Sequence, residues 1–219
     1  MCTLGAMATS ISRSEQKKGT RRALLEAALE LSVESGFSSL SLRAVCAKAG
    51  IAPTSFYRHF VNLDDLGLAL VDEVGMSLRQ LVREARHRVE TTRSNGSVVR
   101  ASIETFMAFA EANANLFRLL LGEGSGSTAS FRNAIRKEIA RFTSDLVEDL
   151  ERAAKASRRP IANVELAAEA MVTVAFNLGA SAVDLPREER KATAERIIRE
   201  VRMIMRGAEA IAAGWEPVA

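Results

Sequence analysis

The chain has 219 residues, 47% of them hydrophobic and 26% charged, and only four are proline, which excludes a disordered protein and favours an all-α fold. No run approaches the ~18 uninterrupted apolar residues of a membrane span and the N-terminus lacks the apolar region of a signal peptide, so we expect a cytoplasmic protein without a membrane partner. Residues 1–60 carry a net charge of +4, from eight Lys or Arg and four Glu. The other residues carry −1, from 22 basic and 23 acidic side chains. This asymmetry fits either an N-terminal region that faces a polyanion or a basic end that is merely solvated.

A first helix is predicted over residues 17–35, after a leader that we expect to form a flexible basic arm over residues 1–16. Leu24, Ala28 and Leu31 recur at spacings of four and three, which places them on one helical face. Gly36 is a natural C-terminal residue for this helix.

A short second helix is predicted over residues 42–49. Ser39 and Ser41 are its candidate N-caps, and Gly50 ends it. Cys46 lies on its apolar face, and the other cysteine is too distant in sequence for a metal-ligand or redox spacing, which favours a reducing compartment.

The third predicted helix, of about two turns, begins at Pro53 and turns Phe56 and Phe60 inward. Two short helices joined by a tight turn that contains glycine form a helix-turn-helix, whose second helix enters the major groove of DNA. We expect the DNA contacts to come from the basic, hydroxyl-bearing and helix-starting residues of this region: Lys17, Lys18, Thr20, Arg21, Arg22, Ser41, Leu42, Arg43, Pro53, Thr54, Ser55, Tyr57, Arg58 and His59.

These contacts have chemical reasons and structural alternatives. The small hydroxyls at the start of the third helix suit phosphate oxygens or base edges at close approach, and Arg43 suits the acceptors of guanine. Tyr57 and His59 have the reach for phosphate. Alternatively, Arg43 forms only an ion pair with Glu30 or Glu34, and His59 only caps its own helix.

The remaining sequence predicts a larger helical domain over residues 63–214, following a DNA-binding domain over residues 17–62. Its apolar stripes predict helices from residue 63 to the polar stretch at 91–97, then over 98–112 and 116–121, from 131 to the stretch at 155–160, and over 164–183 and 188–213. The glycine-rich segment 122–130 lacks the lysine and the preceding strand of a phosphate-binding loop, so we expect no nucleotide site there.

The helix predicted over residues 164–183 is apolar on two faces. Packing against a second copy of the chain explains this pattern, although burial within one subunit is the alternative. We expect a homodimer whose interface includes Val172, Ala175, Gly179, Val201, Ile204 and Ala208.

The segment TRRALLEAALELSVESGFSSLSLRAVCAKAGIAPTSFYRHFVNLDDL resembles the N-terminal domain of TetR-family transcriptional repressors. The segments LDDLGLALVDEVG, LRQLVREAR, FRLLLGEGSG and EAMVTVAF are similar to the FabR/DesT-type branch, which regulates unsaturated fatty acid synthesis. The resemblance implies a dimeric, all-helical repressor that binds a palindromic operator. It also implies an effector, expected to be a long-chain acyl-CoA or acyl-ACP thioester, and no cofactor.

Two positions depart from the family pattern. Thr54 stands where most relatives have Gly or Ala, and Leu63 stands where they have a phosphate-binding Lys. The resemblance therefore implies that Tyr57, His59 and the basic arm take over phosphate contact.

The middle helices of the larger domain are rich in aromatic residues, which fits either a tunnel for an acyl chain or an ordinary core. The candidate ligand-binding residues are Phe106, Phe109, Phe117, Phe131, Phe142, Met171 and Phe176. Arg118, Arg132 and Arg136 are the candidate cations for a coenzyme A head.

An enzyme and a lipid carrier are the alternatives to a repressor. With two histidines in all, His59 and His87, the chain has little material for a Ser-His-Asp site or a histidine metal site, so we expect no enzyme and no metal. A helical lipid carrier would explain the aromatic body but not the basic helix-turn-helix.

Overall fold

The computed structural model describes residues 13–91, 97–122 and 129–215, and all regular secondary structure in these ranges is helical. Residues 1–12 of the predicted flexible arm lie outside the described residues, as does most of the glycine-rich segment, for which no nucleotide site was expected. Residues 13–16, which the sequence also assigned to the arm, belong instead to the first helix. The α-helices are α1 (Arg13–Ser35), α2 (Leu42–Ala49), α3 (Pro53–Phe56), α4 (Leu63–Thr91), α5 (Val98–Ala112), α6 (Ala114–Gly122), α7 (Ala129–Ser157), α8 (Val164–Ser181) and α9 (Arg187–Ala212). The all-α prediction is confirmed.

The chain divides into two compact units, residues 1–67 and 68–219. The division falls after Gly67, within α4, whereas the sequence placed it where this helix begins. No helix in the described ranges is both long and apolar enough to cross a membrane.

The first unit packs α1, α2 and α3 around a small core. Leu24, Ala28, Val45 and Phe56 are fully buried in it, because the apolar stripes of the three helices face one another. Cys46 is also buried, and burial raises the pKa of its thiol, as expected for a packing residue.

The second unit has two adjoining clusters of buried residues. One is centred on Phe106, Phe117 and Phe142, and the other on Met171 and Ile197. Ion pairs also join α4 to α7: Asp72 with Arg141 at 2.6 Å, Arg83 with Asp145 at 3.0 Å and Arg86 with Asp149 at 2.6 Å.

Candidate DNA-binding surface and effector cavity

A tight turn joins α2 to α3. Gly50 ends α2 in the left-handed conformation, with φ of 67°, which a residue without a Cβ adopts at little cost. The Ile51 N–H donates to the Cys46 carbonyl at 2.9 Å and satisfies one of the last carbonyls of the helix. Pro53 then opens α3 at a position that needs no N–H.

The helix α3 spans four residues, so the predicted length of about two turns is wrong. After Phe56 the chain tightens, because the His59 N–H donates to the carbonyl three residues earlier at 2.8 Å. Phe56 and Phe60, with ring centroids 5.7 Å apart, are both buried as predicted and hold this turn against the core.

The outer face of α3 and its turn presents polar side chains to solvent. Thr54, Tyr57 and Arg58 are exposed, and 64% of the Tyr57 surface is accessible. Ser55 and His59 are half-buried. This face joins hydroxyl groups and a cation on one short segment, the combination that phosphate contact requires.

The helix α2 starts and stops as predicted. The Ser41 hydroxyl accepts a hydrogen bond from the Ala44 N–H at 3.1 Å, so this side chain serves as the N-cap. Glu30 forms its ion pair with Lys48 at 2.8 Å. In the part of the chain that the structure describes, no ion pair involves Arg43, which is exposed beside the half-buried Leu42.

Three of the predicted DNA contacts on α1 also stabilise the unit. The Thr20 hydroxyl donates to a carbonyl one turn earlier at 2.9 Å, and Arg22 pairs with Glu26 at 2.7 Å. The Arg21 guanidinium lies over the Phe60 ring, 4.6 Å from its centroid, in a cation–π contact. Their exposed neighbours Lys17 and Lys18 carry charge without a hydrogen bond or ion pair among the described residues.

His59 sits in a positive environment. Burial lowers its pKa, and the charges of Lys17, Arg21 and Arg58 lower it further. The imidazole is therefore neutral at pH 7, and a nearby anion would favour its protonation.

The start of α4 is closed by a reciprocal cap. The Asp65 N–H donates to Asn62 Oδ1 at 2.8 Å, and the Val61 N–H donates to Asp65 Oδ2 at 2.9 Å. Leu63, the first residue of the helix, is half-buried and offers no hydrogen bond to a phosphate.

An apolar cavity of about 310 Å³ lies in the second unit, within walls from α4, α5, α7, α8 and α9. Four predicted ligand residues line it: Phe106, Phe142, Met171 and Phe176. Its volume is at the lower end of the range of about 300–1,000 Å³ that is typical of small-molecule sites.

A second cavity of about 180 Å³ adjoins the first and is lined in part by Phe117. The two cavities share Phe142 and Phe176 as lining residues, whose ring centroids lie 5.5 Å apart in a T-shaped contact. Phe109 and Phe131 line neither of them; Phe109 packs edge-on against Phe117, and Phe131 is buried.

Sequence reasoning missed a charged pair in the wall of the larger cavity. Arg86 on α4 is 7% exposed, and its Nη1 lies 2.6 Å from Asp149 Oδ2 on α7. Burial lowers the pKa of Arg86, and Asp149 opposes this only in part. One signal was available, because Arg86 continues the apolar stripe of Leu78 and Val82 at a spacing of four.

The candidate cations for a coenzyme A head are engaged elsewhere. Arg118 pairs with Asp184 at 2.6 Å, and Arg136 donates to Asn133. Arg132 also has an interaction partner. None of the three lines either cavity.

The residues predicted for the dimer interface divide into two groups. Val172, Gly179, Val201 and Ala208 are buried within the single chain, so they contribute to its own core rather than to its surface. Ala175 and Ile204 are half-buried and pack against the same core. The large apolar side chains that are exposed on α8 and α9 are instead Leu166, Met203 and Ile211.

The structure gives no sign of a metal centre in the residues that it covers. No group of three or more His, Cys, Asp or Glu side chains could hold an ion there. His87 is exposed on α4, in the second unit, whereas His59 belongs to the first.

Two family models match the chain. The model of the bacterial regulatory proteins of the tetR family matches residues 24–70, and the model of the tetracyclin repressor-like C-terminal domain matches residues 96–206, more than half of the chain.

Three solved structures are among those with a similar fold. GusR from Salmonella enterica has a TM-score of 0.71 at 17% identity, and the match covers 90% of this chain and 100% of GusR. A transcriptional regulator from Rhodococcus sp. Rha1 has a TM-score of 0.66 at 17% identity, over 86% and 97% of the two chains. FadR from Bacillus subtilis, in complex with stearoyl-CoA, has a TM-score of 0.65 at 15% identity, over 85% and 98%.

Proposed function

Because the chain belongs to the TetR family of transcriptional regulators, whose members bind DNA operators, form dimers and bind small-molecule effectors, we propose that it represses transcription from a palindromic operator and is controlled by an apolar effector. The observation that carries the proposal is the pairing of features on two units. One unit bears an exposed, polar helix-turn-helix face, and the other holds an apolar cavity.

The DNA contact is proposed for the exposed face of the first unit. Thr54, Tyr57 and Arg58 on α3 and its turn would meet the major groove and its phosphates. Arg43 is exposed and makes no ion pair among the described residues, which supports its assignment to a base contact. Lys17 and Lys18 would add phosphate contacts from α1, since Leu63 supplies none.

The proposed effector is a long-chain acyl group, carried as a CoA or ACP thioester, and the proposed targets are genes of fatty acid synthesis or desaturation. Support comes from the aromatic walls of two adjoining cavities and from the similar fold of FadR from Bacillus subtilis, which was solved with stearoyl-CoA. The alternative is a repressor of efflux or catabolism genes with a different apolar effector. The modest volume of the cavity and the engagement of Arg118 and Arg136 elsewhere favour this alternative.

The proposed dimer interface lies on the outer faces of α8 and α9. Leu166 and Met203 are 64% and 72% exposed in the single chain, and Ile211 continues the face of Met203 two turns later. A pair of copies joined there would present two heads to the two half-sites of a palindrome.

Gel retardation of the DNA upstream of the chain's own coding sequence tests the proposed function. We expect retardation at low salt and its progressive loss as salt rises, because phosphate contacts release counterions. Absence of retardation at low salt would favour a lipid carrier. Mass spectrometry of co-purifying small molecules tests the effector: long-chain acyl species support fatty-acid control, whereas another apolar compound supports the alternative.

A further inference from the structure

Arg86 leaves a hydrogen-bond donor unused in the wall of the larger cavity. The residue is 7% exposed, and its Nε has no hydrogen-bond partner among the described residues. Asp149 Oδ2, 2.6 Å from Arg86 Nη1, lies outside hydrogen-bond geometry and is also without a hydrogen bond there. Buried polar atoms of this kind are rare in native proteins and call for a partner.

The rest of the cavity wall explains why the partner would be a ligand. Of the lining residues, only Arg86, Glu90, Ser102 and Asp149 are polar. The Ser102 hydroxyl donates to the Val98 carbonyl at 2.8 Å, and Glu90 is exposed to solvent. The unmet buried donor and acceptor therefore belong to one pair, and apart from Ser102 and Glu90 the rest of the wall is apolar.

The charges decide what kind of head group would fit. Arg86 already has a counter-ion in Asp149, which also pairs with Arg152 at 2.8 Å. An ionised carboxylate would bring a further negative charge beside Asp149 in an apolar cavity, which is costly. An uncharged oxygen needs only the free N–H of Arg86, and an attached hydroxyl or amide N–H would also donate to Asp149.

Resting on the effector-controlled function proposed above, we propose that Arg86 and Asp149 anchor the effector through an uncharged oxygen-bearing head, such as an amide, an alcohol or a thioester carbonyl. The apolar body of the effector would lie against Phe106, Phe142 and Phe176. Ionised fatty acids are disfavoured by the same pair.

Calorimetric titration of the full chain with decanamide and with decanoate at pH 8 tests the head-group preference. The two probes share an apolar tail and differ in head charge. We expect decanamide to bind at least about tenfold more tightly, since a hydrogen bond from a charged donor is gained without an added charge. Equal binding of the two probes, tighter binding of decanoate, or no binding of decanamide would overturn the proposal.

The double substitution Arg86→Met with Asp149→Leu tests the residues. Removing both charges avoids leaving one buried alone, so the fold should persist. We expect the affinity for decanamide, divided by the affinity for the apolar probe N-phenyl-1-naphthylamine, to fall about 10- to 100-fold. A purely structural role of the two residues would leave this ratio unchanged. An unchanged ratio would overturn the proposal.

Two further variants complete the test. Arg152 is an exposed partner of Asp149 and does not itself line the cavity. Arg152→Met should therefore leave the ratio of the two affinities unchanged. If the double variant does not fold, Arg86→Lys keeps a cation beside Asp149 without the planar fork and should weaken decanamide about tenfold. An Arg86→Lys chain with wild-type affinity would overturn the proposal.

DNA retardation by the unliganded wild-type chain separates this inference from the proposed function. If the chain does not retard DNA, the proposed regulatory function is wrong, and only the proposed binding site for neutral amphipathic molecules stands. If the chain retards DNA but shows no preference for decanamide, only the proposed role of Arg86 and Asp149 is wrong.

Discussion

Among single residues, Tyr57 and Arg43 are proposed to make two different kinds of DNA contact. Tyr57→Phe removes one hydroxyl from a ring that is 64% exposed, so the fold should be unaffected. We expect weaker binding to all DNA sequences alike. Arg43→Ala should cost about 1–3 kcal/mol on the preferred operator and also relax base preference. Anisotropy titrations on operator and scrambled DNA separate the two effects; an Arg43→Ala chain with undiminished base preference would contradict the assignment.

We expect His59 to make the DNA affinity depend on pH. Its pKa is lowered in the free chain by burial and by Lys17, Arg21 and Arg58, so the imidazole is neutral at pH 7. A phosphate nearby raises this pKa, so binding takes up a proton and the affinity should rise as pH falls from 8 to 6. His59→Gln should flatten the pH profile, and His87→Gln in the second unit should not. An unaltered profile for His59→Gln would remove His59 from the interface.

At the scale of helices, one glycine allows close packing around the cavity. A Cβ at Gly179 on α8 would overlap the ring of Phe106 on α5. Gly179→Ala should therefore lower the free energy of unfolding by about 1–3 kcal/mol through overpacking. Gly19→Ala on α1 is the control, because nothing lies within 4 Å of the added Cβ. Denaturant unfolding of the two variants measures the difference, and equal stability would show that the Phe106 ring moves aside freely.

The sequence predicts the end of a helix correctly where residues close to it in sequence determine that end. Ser41 caps α2 and Gly50 ends it because each acts on its own neighbours. The shortness of α3 did not follow, since the tightening after Phe56 depends on tertiary packing. The pairing of Arg86 with Asp149 was equally out of reach, because it joins residues far apart in sequence.

For the whole molecule, binding to a palindromic operator requires two copies of the chain. Met203→Glu places a charge on an apolar face where the side chain is 72% exposed, which should leave the single chain folded and prevent dimer formation. The resulting monomer should bind the palindromic operator at least about tenfold more weakly. Met76→Glu, at a methionine that is 58% exposed on α4, is the matched control. Light scattering checks both, and a dimeric Met203→Glu chain would place the interface elsewhere.

We propose that an apolar ligand controls DNA binding, and one titration tests this control directly. The affinity of the full chain for labelled upstream DNA is measured by anisotropy, without ligand and with saturating palmitoyl-CoA or decanamide. We expect tight, salt-dependent binding and a change of at least about fivefold in Kd with one of these ligands. Binding that neither ligand changes, or no binding at low salt, would contradict it.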